Sequence, residues 1–356
     1  MFNQKGALTL SDITTQNESW SKTIQVVDKC QKEIVSFFVK EAFTQLVFIG
    51  AGSSLNAASV CSRFFMDMTG VPAVCIPPSE LFSGLRLPFD ERRKTLAVVL
   101  TRSGETSETL WALQRFQRHP AVRTLVITPA AESQAAKLAH MRLLIPHAAE
   151  ETHVSTKAYT SSIFAFKYLI AFLMKNTPLY NEMRQLPEKF QAKKFQKEIQ
   201  RITGVKPQNV IASGNGIMYG HACEASAIIS KMAAIPTSAL YSTQLRYGLA
   251  SYATPNTLAI VFSGDAMRKA DGVVAGDLAA TKCHRLVICD KADQRLGTCE
   301  FVAELGCGLS ENVRDLLMIE VVQELGFYMA VQKGVNADKP KHVPFSVSWK
   351  EPYFNK

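Results

Sequence analysis

Ser103, Gly104 and Thr106 stand where an apolar run, Leu96-Ala97-Val98-Val99-Leu100, gives way to a helical stretch around Leu110. Backbone N–H groups at a helix start have no partner inside the helix, and the dipole is positive there, so hydroxyls and amides in that place favour an anion. A phosphate suits such a turn. Ser103-x-x-Thr106 and Thr106-x-x-Thr109 serve plain helix capping equally well, and the turn alone leaves both readings open. Two further turns of similar chemistry occur in the same half of the chain. One is Val47-Phe48-Ile49-Gly50-Ala51-Gly52-Ser53-Ser54; the other is the hydroxyl-rich stretch Glu151-Thr152-His153-Val154-Ser155-Thr156-Lys157-Ala158-Tyr159-Thr160.

These turns need strands to end at them and helices to leave from them. Short apolar runs at Leu46–Ile49, Val74–Ile76, Thr95–Leu100, Thr124–Ile127 and Arg142–Ile145 alternate with helical stretches, from Leu55 to Thr69, Leu110 to Arg118 and Gln134 to Ala139. That alternation predicts a parallel sheet covered by helices on both faces. A long helix is expected from about Thr156 to Met174, stopped by Thr177-Pro178, with a charged helical connector after it. A leader helix is expected to start at Ser19-Trp20, with Ile24, Val27, Ile34, Val35 and Phe38 at helical spacing.

The pattern then restarts. Val47 maps onto Val210, a shift of 163; Leu96-Ala97-Val98-Val99 maps onto Leu258-Ala259-Ile260-Val261, a shift of 162; Leu125-Val126-Ile127 maps onto Leu286-Val287-Ile288, a shift of 161. So small a drift, with Gly50-x-Gly52 matched by Gly214-x-Gly216, marks an internal duplication. Neither glycine pair completes a dinucleotide fingerprint, because Leu55 and Tyr219 occupy the place of the third glycine. No nicotinamide or other cofactor is expected. The second copy has Ser263-Gly264-Asp265-Ala266-Met267 in place of the SGET turn, so one copy is expected to bind phosphate while the other supplies reacting groups.

Composition narrows the classes. The 356 residues suffice for two domains with cores of their own, and 47% hydrophobic content is ordinary for a globular protein. No apolar run reaches the roughly 18 residues of a membrane span, and the polar start argues against a secretory signal. A cytoplasmic protein without membrane partners is the expectation. The formal charge of +9 comes from dispersed basic residues, which points to an acidic small molecule or a solvated basic surface rather than nucleic acid. Eight cysteines without a CxxC pair predict free thiols and no metal site.

The SGET turn followed by Val154-Ser155-Thr156-Lys157-Ala158-Tyr159-Thr160 resembles the sugar isomerase (SIS) domain of phosphosugar-binding proteins. The resemblance runs from about Leu46 to about Val347, and takes in the isomerase half of glucosamine-6-phosphate synthase and its relatives, the amino-sugar ketose/aldose isomerases and fructosamine 6-phosphate deglycases. It implies an α/β fold in which two SIS-type αβα sandwiches with parallel sheets stand in tandem. The expected domains are a helical leader over 1–40, a phosphate-binding SIS domain over 41–185, a second over 200–335, and a tail over the active site at 336–356. The family builds its sites between subunits, which implies a homodimer or higher homo-oligomer. No glutamine-hydrolysing domain is expected, so the chain is not expected to act as a complete glutamine-dependent synthase.

Residue by residue, the resemblance places sugar-phosphate binding on Ser53, Ser54, Thr101, Arg102, Ser103, Thr106, Val154 and Ser155, with Glu150 as a nearby carboxylate. Arg102 replaces a glutamine of the synthase; it suits phosphate or a surface ion pair. Tyr219 to Glu224 match the opening of the catalytic helix, and Glu224 is retained. Three chemical positions differ: the proton-moving glutamate is Lys231, the ring-opening histidine is Tyr247, and the Schiff-base lysine is Phe345. Glu224, Lys231, Tyr247 and His221 are therefore the candidate acid/base groups, and Lys231 reads equally well as an ordinary helix lysine. The tail Lys333-Gly334 to Asp338-Lys339-Pro340 matches a KG…D.P signature. The expected function is a deglycase or isomerase that converts an amino-sugar or fructosamine 6-phosphate into hexose 6-phosphate and free amine. The alternative is a non-catalytic sugar-phosphate sensor.

Overall fold

The computed structural model describes residues 5–82, 89–297 and 299–349. The chain opens with α1 (Ala7–Thr14) and α2 (Gln16–Glu41), followed by β1 (Gln45–Ile49), α3 (Ser53–Thr69), β2 (Ala73–Ile76), β3 (Thr95–Leu100), α4 (Ser107–Gln117) and β4 (Val122–Thr128). Next come α5 (Gln134–Leu138), β5 (Met141–Leu144), α6 (Lys157–Leu173), α7 (Thr177–Lys189) and α8 (Gln196–Gly204). The second series is β6 (Asn209–Gly214), α9 (Ile217–Ala233), β7 (Thr237–Tyr241), β8 (Thr257–Phe262), α10 (Arg268–Ala279), β9 (His284–Cys289), β10 (Phe301–Glu304) and α11 (Glu311–Gln332).

The chain divides into two compact units. Of the described residues, 16–150, 157–187 and 344–349 form the N-terminal unit, and 5–15, 151–156, 188–297 and 299–343 form the C-terminal unit. Each holds one five-stranded, all-parallel sheet. The orders are β2-β1-β3-β4-β5 and β10-β9-β8-β6-β7, which are the same order read from opposite edges. The duplication is thus present in topology, and the tandem α/β sandwiches expected from the sequence are what the chain forms.

β1 and β3 are buried along their whole length, as strands covered on both faces must be. Val47, Ile49, Ala97, Val99 and Val126 meet Leu113 and Phe116 of α4 on one face. Phe48 and Phe166 pack edge to face on the other, where α6 lies against α2 and α3. In the C-terminal unit Ile211 and Ala259 pack on Val274 and Leu278 of α10, and α9 lies against α11.

Three expectations on elements change. The leader is helical from Ala7, well before Ser19, because the Asp338 carboxylate accepts both the N–H and the hydroxyl of Thr9 at 2.8 Å and so satisfies the first turn of α1. Thr177-Pro178 opens α7 instead of merely ending α6, since a proline at the first helical turn loses no needed hydrogen bond. The charged connector is broken at 190–195, between α7 and α8. The expected turn running on to Arg86 extends beyond the described residues, as do the ends of leader and tail.

Candidate phosphate turn and acid/base residues

In each sheet the helices leave in opposite directions on either side of one strand pair, β1 and β3 or β6 and β8. Open α/β sheets bind ligands at the carboxyl ends of such a pair. In the N-terminal unit that place is framed by Gly50–Ser54 after β1 and by Thr101–Thr106 after β3. Gly52 takes φ 59°, ψ −128°, a conformation that needs glycine, and it delivers the chain directly into α3 at Ser53.

The second turn is held from inside and from one neighbouring loop. Thr101 is buried, and its Oγ1 accepts the Gly104 N–H at 3.1 Å. Ser103 Oγ accepts the Glu105 N–H at 3.2 Å. Gly104 has φ 67°, and a Cβ there would collide with Ser133 Oγ. The Gly104 carbonyl accepts the Ala135 N–H at 3.0 Å, and the Glu105 carboxylate accepts the Gln134 N–H at 2.9 Å. Glu105 thus braces the turn against the loop before α5. Thr106 occupies the N-cap of α4 without closing it by a side-chain bond. Ser103, Thr106 and Ser54 are half-buried, and Ser53 is buried at the start of α3.

Arg102, a candidate phosphate ligand, is 11% exposed in its side chain and lies 4.0 Å from the Glu150 carboxylate. Its guanidinium donates to the Phe345 carbonyl at 2.8 Å and lies 4.2 Å over the Phe345 ring. The tail continues along α4: the Val347 carbonyl accepts the Ser107 N–H at 3.2 Å, and Ser107 Oγ accepts the Trp349 N–H at 3.0 Å. Trp349 packs obliquely on Trp111. Glu150 also accepts the Lys157 N–H at 2.6 Å, capping α6 with a carboxylate at its positive end.

Val154 and Ser155 are buried in the segment 151–156, which belongs to the C-terminal unit. Around them the His153 N–H donates to the Asp338 carbonyl at 2.8 Å, and the Gln323 amide donates to the Thr156 carbonyl at 3.2 Å. Asp338 of the KG…D.P signature therefore holds α1 with its carboxylate and this segment with its carbonyl.

The acid/base candidates all lie in the C-terminal unit. His221, Glu224 and Lys231 are on α9; Glu224 and Lys231, two turns or about 10 Å apart, share one face. Glu224 is fully buried and Lys231 is half-buried in the last turn. His221 is also fully buried, with Nε2 2.8 Å from Asp315 Oδ2 of α11. Tyr247 follows a 3-10 turn over Ser242–Arg246 and is 79% exposed. Burial pushes the Tyr219 hydroxyl up to about 12 and raises the Cys223 thiol, so neither is a ready nucleophile at neutral pH. Asp315 escapes sequence reading because its partner His221 is far away in the chain; Asp338 and Glu105 lie in the KG…D.P and SGET stretches, but their holding roles do not show there because their partners are distant or lie in an undistinguished loop. Among the described residues no cluster of metal-ligating side chains occurs, and no helix is long and apolar enough to cross a membrane.

Comparison with known proteins bears on the fold. Residues 41–172 match the SIS domain family model. A glutamine–fructose-6-phosphate aminotransferase (isomerizing) of Arabidopsis thaliana is 25% identical over 320 residues, covering 85% of this chain and 46% of that protein. The chain spans about half the length of the curated relatives it matches. Among solved structures, the C-terminal domain of glucosamine-fructose-6-phosphate aminotransferase from Francisella tularensis superposes with a TM-score of 0.83 at 20% identity, covering 96% of this chain and all of that one. A glucosamine-6-phosphate deaminase from Thermotoga maritima gives 0.76 at 21%, covering 96% and 99%. These structural likenesses establish the fold.

Proposed function

From the SIS domain that this chain carries, we propose that it is an enzyme of phosphosugars, acting on an amino-sugar or fructosamine 6-phosphate to give hexose 6-phosphate and free amine. One observation carries the reading: the half-buried hydroxyls of Ser103 and Thr106 stand with the start of α4 at the carboxyl end of β3, beside the Gly52–Ser54 turn. Relatives of the same fold include proteins named for adding an amine to fructose 6-phosphate and for removing one from glucosamine 6-phosphate.

The chemistry asks for little from the protein. Moving a proton from C1 to C2 turns a ketosamine into an aldosylamine; water then adds at C1 and the amine leaves with a proton. The substrate brings its own nitrogen, so no Schiff-base lysine is required where Phe345 stands. We assign the proton transfers to Glu224, Lys231 and Tyr247, and give His221, bonded to Asp315, the holding of α9 against α11. A homodimer is part of this proposal. The contact of Phe345 with Arg102 favours a second reading, a binding protein without turnover.

The test is incubation with a panel of glycated amino-acid 6-phosphates, without added glutamine, ammonia or nicotinamide, and assay of hexose 6-phosphate and amine. Lys231→Met and Tyr247→Phe are expected to lower kcat by about 10²–10⁴ with sugar-phosphate affinity nearly unchanged. Binding without any product from the panel would establish the second reading.

A further inference from the structure

The two copies can be superposed in register at their switch points. The Thr101 N–H donates to the Ile127 carbonyl at 3.2 Å, and the Ser263 N–H donates to the Ile288 carbonyl at 2.9 Å. Gly216 has φ 59°, ψ −130°, within a few degrees of Gly52. Thr109, Ala112, Leu113 and Phe116 are the buried residues of α4; Asp271, Val274, Ala275 and Leu278 repeat that spacing on α10. Asn215 therefore stands for Ala51, Ser263 for Thr101, Asp265 for Ser103 and Asp271 for Thr109.

The substitutions all act in one direction. Where the first copy has an alanine and a threonine, the second has an amide and a carboxylate bonded to each other, Asn215 Nδ2 donating to Asp271 Oδ1 at 3.3 Å. Asp271 is 1% exposed, and the fully buried hydroxyls of Ser242 and Ser263 face its carboxyl group. Asp265 is held by Arg268 at 2.7 Å and Arg314 at 2.6 Å, while the Glu311 carboxylate accepts the Asp265 N–H at 2.6 Å. The turn before α10 thus has the Asp265 N–H and the guanidinium groups of Arg268 and Arg314 engaged by the chain's own carboxylates. An incoming phosphate would meet the negative charge of Asp265, Asp271 and Glu311 and find the space beside Asn215 filled.

We infer that Asp271, with Asn215 and Asp265, occupies the anion position of the second copy from within, so that the chain takes a single phosphate. This rests on the phosphate reading of the first turn for its stoichiometry and on the duplication for its location. Asp271 is a residue that excludes a ligand, acting through charge and volume at a place the fold would otherwise make receptive.

The test is calorimetric titration of the full chain with inorganic phosphate. The expected stoichiometry is one per chain for the wild type and none for Ser103→Ala with Thr106→Ala. Residual binding of one phosphate by that double variant overturns the inference. Adding Asn215→Ala, Asp265→Ser and Asp271→Thr replaces the three occluding residues by those at the matching positions of the first copy, and is expected to open one site, about tenfold tighter or more than any residual binding. A cooperatively melting variant without a restored site overturns the inference. If that variant does not melt cooperatively, Asp271→Asn alone in the double variant decides. Phosphate, compared with chloride at equal ionic strength, should then raise its Tm by about 2 °C or more, and no rise counts against the inference. Absence of binding in the wild type would sink the reading of the first turn, while gain of a site by the swapped chain would still uphold the assignment of Asp271.

Discussion

Replacing Asp271 by asparagine keeps the shape of the side chain and its bond to Asn215 while removing the charge. Burial pushes this carboxyl up to about 6 from an ordinary 3.8, against the opposing pull of the nearby Ser242 and Ser263 hydroxyls and the Asn215 amide. A raised carboxyl means that the folded chain holds the proton more tightly than the unfolded chain. Stability is therefore fully present below pH 3.8 and declines as pH rises through about 6, above which it is flat with respect to this group. The displacement amounts to about 3 kcal/mol at neutral pH. Hydrogen exchange at the amides of α10 and β8 reads the opening free energy of the C-terminal unit directly, once corrected for intrinsic exchange at each pH. The Asp271→Asn chain is expected to gain on the wild type by up to about 3 kcal/mol between pH 4 and pH 7. Other carboxylates with the same sign cancel in the difference. A difference profile that is flat over this range would refute the reasoning, because it would mean that the charged form is as comfortable in the fold as in water.

Gly104→Ala is expected to weaken phosphate binding and to destabilise the N-terminal unit by about 1–3 kcal/mol, since it combines a left-handed backbone with a collision at Ser133; calorimetry and thermal melting measure both. His221→Ala leaves the Asp315 carboxylate buried without its ring partner and is expected to cost about 3–5 kcal/mol, seen as a lowered Tm; a melt indistinguishable from wild type would show that the pair holds nothing. Glu320 is held well above the usual carboxylate range by burial and then by the nearby Glu324, so its contribution is complete below pH 4.5 and is lost as pH rises. Glu320→Gln is accordingly expected to be more stable than wild type at pH 8 and to lose that advantage near pH 4, as denaturant midpoints would reveal.

The strands were legible because a buried parallel strand is a short apolar run, and Leu96 to Leu100 or Leu258 to Phe262 can hardly be anything else. The turns were legible because glycine and hydroxyl residues follow those runs at fixed offsets. α11 was not, since Arg314, Asp315, Glu320, Gln323 and Glu324 are buried among its apolar residues and erase the helical stripe that marks an ordinary surface helix. Burial of those side chains depends on Asp265, His221 and the Lys193 amide, which lie dozens of positions away or more. The candidate site divides likewise: Ser103 and Thr106 announce themselves, whereas Asp271 reads as an unremarkable acid near a helix start until the two copies are set in register.

Asp338 carries a consequence for how the chain is made. Its carboxylate holds Thr9 at one end of the sequence, and its carbonyl holds His153 near the middle. α1 is made long before the group that completes its opening turn, which follows more than three hundred residues later in the chain. Until then the earliest-made helix of the C-terminal unit is a short peptide of the kind that is marginal in water. α1 must wait for Asp338, so a nascent chain halted before that residue leaves Ile13, fully buried in the fold, open to whatever chaperone or protease is at hand.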